Sequence, residues 1–293
     1  MDVVAGKWPA ELNRCVVCIG TQKAATSFLF TQMAKHPDIC VPSIKEVHFW
    51  DTLDGVEPRR FQRRALRTLR AGFMMGNIMS ADGRAQLLEQ SVLTRARFLR
   101  RRGIEAYRRY LLSNYATEPV LFEASPGYSL VSADTFRLMA ASMVDLRIIL
   151  MMRDPVDRLW SAVKYIFRKK LEQGRASRKD VLDFFLGRVR DPESLGFRHS
   201  DYERTLAEID AAGLADKLSV LFQESLAAGS EQDALTRAVG FEVSLNHQKK
   251  VNTHSQHFEG EDALFIEARE AFSAVYLAVR ERYGSRVPDC WRA

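Results

Sequence analysis

The chain of 293 residues has no apolar run approaching the roughly 18 consecutive residues that a membrane-spanning helix needs. Its first stretch, Met1–Arg14, carries Asp2, Lys7, Glu11 and Arg14 and lacks the apolar segment of a secretory signal. A soluble, cytoplasmic protein is the expectation. Cysteine is scarce as well. Cys15, Cys18, Cys40 and Cys290 do not make a disulfide framework, which is dense in small secreted domains. Cys15 and Cys18 are spaced C-x-x-C, but they lie in the apolar run Cys15–Ile19, and a buried strand accounts for them more simply than redox or metal chemistry. His247, His254 and His257 follow no metal-ligand spacing, so no metal site is expected. Internal repeats, low-complexity linkers and readable nucleic-acid motifs are all missing, which favours one domain over residues 1–293 and no nucleic-acid partner.

What is present begins with 46% apolar residues, enough for a sizeable core, and a net charge of +6 that is unevenly spread. Between Arg59 and Arg109 fourteen arginines face only Asp82, Glu89 and Glu105. That excess points to an anionic partner, although a solvated helix face also produces charge runs.

Arg14–Ile19 is an apolar run closed by Gly20, and Thr26–Lys35 follows at helical spacing before His36-Pro37 stops it. Val120–Ala124, Leu146–Met152 and Leu218–Phe222 are predominantly apolar runs of strand length, as in a parallel sheet buried on both faces. Helical patterns lie between and after them: Asp134–Met143, Pro155–Gln173, Asp201–Ala212, Glu231–Val239 and Glu261–Tyr283. Asp154 and Pro155 form a helix start, and Ser200-x-x-Glu203 reads as a capping box. The expected fold is α/β, with a P-loop-like central parallel sheet flanked by helices. An arginine-rich helical insertion, about residues 55–115, reads as helices at Arg59–Arg70 and Arg84–Leu112 and is placed to cap the active face.

The segment from Gly20 to Ser27 joins a strand to a helix, the layout of an anion-binding loop, and Lys23, Thr26 and Ser27 add a cation and two hydroxyls. Laid over G-x-x-x-x-G-K-[ST], Gly20 and Ser27 match, but Ala25 and Thr26 take the places of the second glycine and the lysine. The lysine stands instead at Lys23. That displacement argues against an Mg-dependent kinase or nucleotide hydrolase, one of two alternatives; the other is a non-catalytic polyanion-binding protein using the arginine-rich stretch.

Three blocks resemble the sulfotransferases that use 3'-phosphoadenosine 5'-phosphosulfate (PAPS). Ile19–Ile39 (IGTQKAATSFLFTQMAKHPDI) is similar to the family's 5'-phosphosulfate loop, and Leu146–Tyr165 (LRIILMMRDPVDRLWSAVKY) to its 3'-phosphate strand and helix. Lys45–Asp51 (KEVHFWD) resembles a segment of the heparan-sulfate and related carbohydrate branch, and Phe122–Tyr128 (FEASPGY) is a weaker match to a family strand end. The resemblance implies one sulfotransferase domain with PAPS as donor. Within it, Lys23 stabilises the leaving phosphate, while Gln22, Lys23, Ala24, Ala25, Thr26 and Ser27 hold the 5'-phosphosulfate. Arg153 and Ser161 take the 3'-phosphate, with Arg158 and Tyr165 on the same helix face as Ser161; Arg158 has an alternative partner in Asp154, four residues earlier. Glu46 is the implied general base, with His48 beside it as the competing candidate and Asp51 orienting them. A late basic loop carries Lys249 and Lys250 as further nucleotide contacts. Relatives often have glycine at Ala24 or Ala25; both alanines are expected to be near-helical here. The implied acceptor is a carbohydrate or a small natural product, or an anionic or membrane-surface acceptor gathered by Arg59–Arg109.

Overall fold

The structure is a computed structural model that describes residues 8–43, 45–56, 103–226, 228–245 and 261–291. Five strands form one parallel sheet: β1 (Arg14–Gly20), β2 (Ile39–Cys40), β3 (Val120–Ala124), β4 (Leu146–Met152) and β5 (Leu218–Phe222). Their order across the sheet is β2-β3-β1-β4-β5. The apolar runs are strands because both faces are covered. Along β4, Ile148, Leu150 and Met152 join one core with Val17, Phe136 and Val163, while Ile149 and Met151 join the other with Leu29, Met33 and Leu235.

The helices that matter to the site are α1 (Thr26–Met33), α2 (Phe49–Asp54), α3 (103–111), α4 (Ala133–Ser142) and α5 (Pro155–Glu172). Asp154 caps α5 as the sequence indicates, its Oδ1 accepting from Val156 N and Asp157 N at 3.0 Å each. With β3 on one flank of β1 and β4 on the other, the sheet grows in opposite directions from β1. The carboxyl ends of β1, β3 and β4 therefore open on one crevice, where ligands of open α/β sheets bind. Among the described residues no helix is long and apolar enough to cross a membrane.

Four expectations are corrected. The pattern Glu261–Tyr283 is two helices, Glu261–Ala271 and Ser273–Tyr283, broken at Phe272, whose buried ring stacks on Phe197 at 4.4 Å. The capping box at Ser200 is not formed: Asp201 is the N-cap and accepts from Arg204 N at 3.1 Å. Ser200 Oγ is otherwise engaged, donating to the Pro155 carbonyl at 2.8 Å and accepting from Arg158 Nε at 2.6 Å. Arg158 is thus engaged by Ser200 and the Gly196 carbonyl, while the Asp154 carboxylate accepts from Val156 N, Asp157 N and the Tyr276 hydroxyl. Ala25 is left-handed (φ 58°, ψ 18°), not near-helical. The helix Arg59–Arg70 and most of Arg84–Leu112 lie outside the described residues, as do Lys249 and Lys250.

Candidate active site

The loop after β1 turns sharply without a glycine at its centre. Lys23 has φ 71° and Ala25 φ 58°, conformations that cost a non-glycine residue roughly 1–2 kcal/mol. Gly20 is needed at the loop's start, since a Cβ there would stand 2.8 Å from the Pro126 carbonyl oxygen. Ala24 is buried in the core under the loop and Thr26 is buried at the start of α1, while Gln22 and Ser27 are exposed. Ala25 gives no side-chain cap to α1, so the loop leaves the positive end of that helix open to an anion.

Cations converge on this loop from β4 and α5. Lys23 Nζ lies 4.4 Å from the centroid of the Tyr165 ring, and Arg153 Nη1 donates to the Lys23 carbonyl at 3.4 Å. Arg153 is itself seated by Tyr202, whose hydroxyl donates to the Arg153 carbonyl at 2.6 Å. Ser161 sits on α5 one turn before Tyr165 and one turn after Arg158. Arg158 is fully buried, with Nε on Ser200 and Nη2 on the Gly196 carbonyl, and its Nη1 has no hydrogen-bond partner among the described residues. Burial pulls its pKa down to about 10. Burial, then the charges of Arg153, Arg168 and Arg158, likewise lower that of Lys23. Like charges held this close are unfavourable until an anion joins them. The donor set therefore fits a ligand with several negative charges.

Opposite the loop, Lys45–Asp51 carries the acid–base groups. Glu46 and His48 are both left-handed, at φ 64° and φ 55°. Glu46 accepts a close hydrogen bond from Lys45 Nζ, and its other oxygen is 3.7 Å from His48 Nε2. His48 Nδ1 is 2.6 Å from Asp51 Oδ2, and Asp51 is 4% exposed at the first turn of α2. The order Asp51–His48–Glu46 is thus a relay of two carboxylates across one imidazole. Burial opposes charge on His48, but Asp51 and then Glu46 outweigh it and raise its pKa well above the ordinary 6.5. Burial likewise opposes charge on Glu46, yet His48 and Lys45 hold its pKa at about 2. The Glu46 side chain is 40% exposed and so open to an incoming group.

The fold thus brings Arg153 to Lys23 and His48 to Glu46, with Glu46 in electrostatic range of Lys23, while Ser161 stands on α5 one turn from Tyr165. Two features were not legible in the motifs. Tyr165 as the partner of Lys23 had only its place on the Ser161 face to mark it. Glu123, buried at the end of β3 behind His48, had only its place in FEASPGY. Among the described residues no group of three or more His, Cys, Asp or Glu side chains forms a metal cluster.

The model of the sulfotransferase family matches residues 15–232. A sulfotransferase from Alicyclobacillus acidocaldarius has a similar crystal structure, with TM-score 0.61 and 21% identity, covering 97% of this chain and 100% of that one. The sulfotransferase domain of the Synechococcus PCC 7002 olefin synthase is a more distant likeness, at TM-score 0.41 and 16% identity, covering 82% of this chain and 78% of that domain. No curated protein matches the chain. The family match spans the anion loop, the Lys45–Asp51 relay and the Arg153–Ser161 helix, and on that ground the chain belongs to the sulfotransferase family.

Proposed function

We propose that the chain moves the sulfuryl group of PAPS to a hydroxyl, or an amine, of a carbohydrate or small-molecule acceptor. The observation that carries this reading is the group of cations formed by Lys23 in the loop after β1, Arg153 after β4 and Arg158 on α5, with Glu46 of the Glu46–His48–Asp51 relay in electrostatic range of Lys23. PAPS supplies an activated sulfuryl group and departs as 3',5'-adenosine bisphosphate. In-line positioning and charge stabilisation then make up most of catalysis, as in phosphoryl transfer.

Each residue has a role set by its charge and place. Lys23 offsets the negative charge that develops on the departing phosphate. Thr26 and Ser27, with the amides of the loop Gln22–Ala25, hold the 5'-phosphate at the positive end of α1. Arg153 and Ser161 hold the 3'-phosphate, where the guanidinium offers two parallel donors. Lys249 and Lys250 belong to the same nucleotide site by resemblance alone.

Glu46 takes the acceptor's proton as the new S–O bond forms. His48 first and Lys45 second hold Glu46 ionised, which keeps it ready to accept a proton while weakening it as a base. His48, cationic under the charges of Asp51 and Glu46, is suited to orient Glu46 rather than to replace it as base. The likeness of Lys45–Asp51 to the carbohydrate branch supports a saccharide acceptor. The arginines from Arg59 onward would favour an anionic one.

The test is transfer of labelled sulfate from PAPS to a panel of saccharides, phenols and alcohols, beside calorimetric binding of 3',5'-adenosine bisphosphate. Binding of the bisphosphate without Mg2+ and label on at least one acceptor are expected. No bisphosphate binding at millimolar concentration would reject the reading.

A further inference from the structure

Glu123 is 1% exposed, and its neighbours explain why a carboxyl sits there. Three hydroxyls donate to it: Ser125 Oγ at 2.8 Å and Tyr128 OH at 2.7 Å to Oε1, and Tyr107 OH, from α3, to Oε2. Each hydroxyl in turn accepts from one of three consecutive residues beside Glu46. His48 N reaches Ser125 Oγ at 3.5 Å, Phe49 N reaches Tyr128 OH at 3.0 Å, and Trp50 Nε1 reaches Tyr107 OH at 3.1 Å. One carboxyl therefore fixes the lone-pair directions of three hydroxyls, and these fix His48, Phe49 and Trp50. Each hydroxyl turns its proton to the carboxyl and its oxygen to the segment, and these three donated bonds oppose the rise that burial gives the pKa of Glu123.

Two further contacts clamp the same segment. The Phe49 ring stacks on Tyr107 with centroids 4.3 Å apart and planes 8° from parallel. Gly127 packs so closely that a Cβ there would lie 2.2 Å from Asp51 Oδ2 and 3.4 Å from His48 Nδ1. Left-handed residues persist only where the surroundings over-determine them: the network holds His48 directly, and Glu46 N donates to the Ala124 carbonyl at 3.0 Å, next to Glu123 on β3.

We propose that Glu123 is a positioning residue for sulfuryl transfer, fixing through the hydroxyls of Ser125, Tyr128 and Tyr107 the backbone on which Glu46 and His48 stand. The proposal rests on the reading of Glu46 and His48 given above. Its primary readout, the titration of His48, uses no nucleotide and no acceptor, so it fails separately from that reading.

The test follows the His48 imidazole by NMR titration, its signal assigned with His48→Gln, in the wild type and in Glu123→Gln, Tyr128→Phe and Tyr107→Phe. Asp51 and Glu46 face His48, Lys45 pairs with Glu46, and His199 lies in electrostatic range. In the wild type His48 is expected to titrate well above 6.5. Glu123→Gln and Tyr128→Phe are expected to bring it down by about one pH unit or more as Glu46 and Asp51 lose their registry with the ring. Binding of 3',5'-adenosine bisphosphate, which uses Lys23 and Arg153, should stay within threefold. If Glu123→Gln does not fold, the two Tyr→Phe variants, which keep the aromatic packing, decide the matter. Folded variants whose His48 titration is unmoved would overturn the positioning role, as would a shift accompanied by an equal loss of bisphosphate binding, which is general loosening.

Discussion

Lys23 Nζ rests 4.4 Å from the centre of the Tyr165 ring, which joins the loop after β1 to the outer face of α5. Tyr165 is 57% exposed, and its ring carries two cations, Lys23 and, at 5.7 Å, the Arg168 guanidinium. A cation–π contact at an exposed site contributes about 0.5–1 kcal/mol, which is a few-fold in rate. Tyr165→Ala is therefore expected to lower PAPS turnover about three- to fivefold, with Tyr165→Phe close to wild type because it keeps the ring. Lys23→Ala, which removes the cation itself, is expected to lose on the order of a hundredfold or more in kcat. Steady-state kinetics on the three variants checks both figures. Equal effects of Ala and Phe at position 165 would show that the hydroxyl, not the ring, matters.

Arg153 should be read by the nucleotide's 3'-phosphate alone. Hydrogen bonds to a charged group are worth about 1.5–3 kcal/mol, so Arg153→Ala is expected to weaken 3',5'-adenosine bisphosphate roughly ten- to a hundredfold. Adenosine 5'-monophosphate, without that phosphate, should bind the variant nearly as well as the wild type. Arg153→Lys is expected to recover little, because a lysine replaces a planar fork with a point charge. Calorimetry with the two nucleotides distinguishes this from a general loss of the site through Tyr202, which would weaken both.

These residues also mark how far the sequence could be read. The strands were legible because a strand buried on both faces is a short, nearly continuous apolar run, as in Ile148–Met152. The α5 start was legible because Asp154 and Pro155 are both local signals. Ala25 misled because alanine favours helix and nothing adjacent marks a left-handed turn; its φ of 58° is imposed by the loop that Gly20 begins. Ser200 misled because a hydroxyl has more than one suitor, and buried Arg158 took it from the helix cap. Glu123 was the least legible. Its partners come from α3 and from the turn after β3, and the residues it orders lie more than seventy positions away. No periodicity encodes such a triangle.

The raised pKa of His48 fixes the sign of a pH effect. Asp51 and Glu46 stabilise the imidazolium against its burial, so that stabilisation is complete below the ordinary 6.5 and is lost as pH rises through the higher folded value. Glu46 behaves oppositely. Held at about 2, it contributes fully above its ordinary value near 4.5 and loses its contribution only as pH falls toward 2. Activity should therefore hold across the mildly acid range and decline on the alkaline side of neutrality. Thermal unfolding and kcat measured against pH check this, and His48→Gln should remove the alkaline decline while lowering the plateau. A loss of activity on acidification through pH 6 would mean instead that neutral His48 is the base.

Ala25→Gly tests whether the loop's left-handed turn is a real cost to the fold. At φ 58° and ψ 18° an alanine side chain is unfavourable by roughly 1–2 kcal/mol relative to the right-handed region. Glycine removes that cost, but its unfolded chain is more mobile, which offsets about 0.4–1 kcal/mol. The variant is therefore expected to be more stable by about 0–1.6 kcal/mol, the difference of those two ranges. It should appear as a higher urea midpoint at unchanged slope. Bisphosphate affinity should not fall, since glycine keeps the backbone amides and Ala25 contributes no side-chain cap to α1. The opposite substitution gives the contrast: Gly20→Ala drives a Cβ to 2.8 Å from the Pro126 carbonyl oxygen at φ 135°, and should cost stability and nucleotide binding together. If Ala25→Gly destabilised the protein by the amount typical of a helix interior, about 1 kcal/mol, Ala25 would be right-handed. The loop would then begin α1 one residue earlier, and the open helix end invoked for the 5'-phosphate would have to be redrawn.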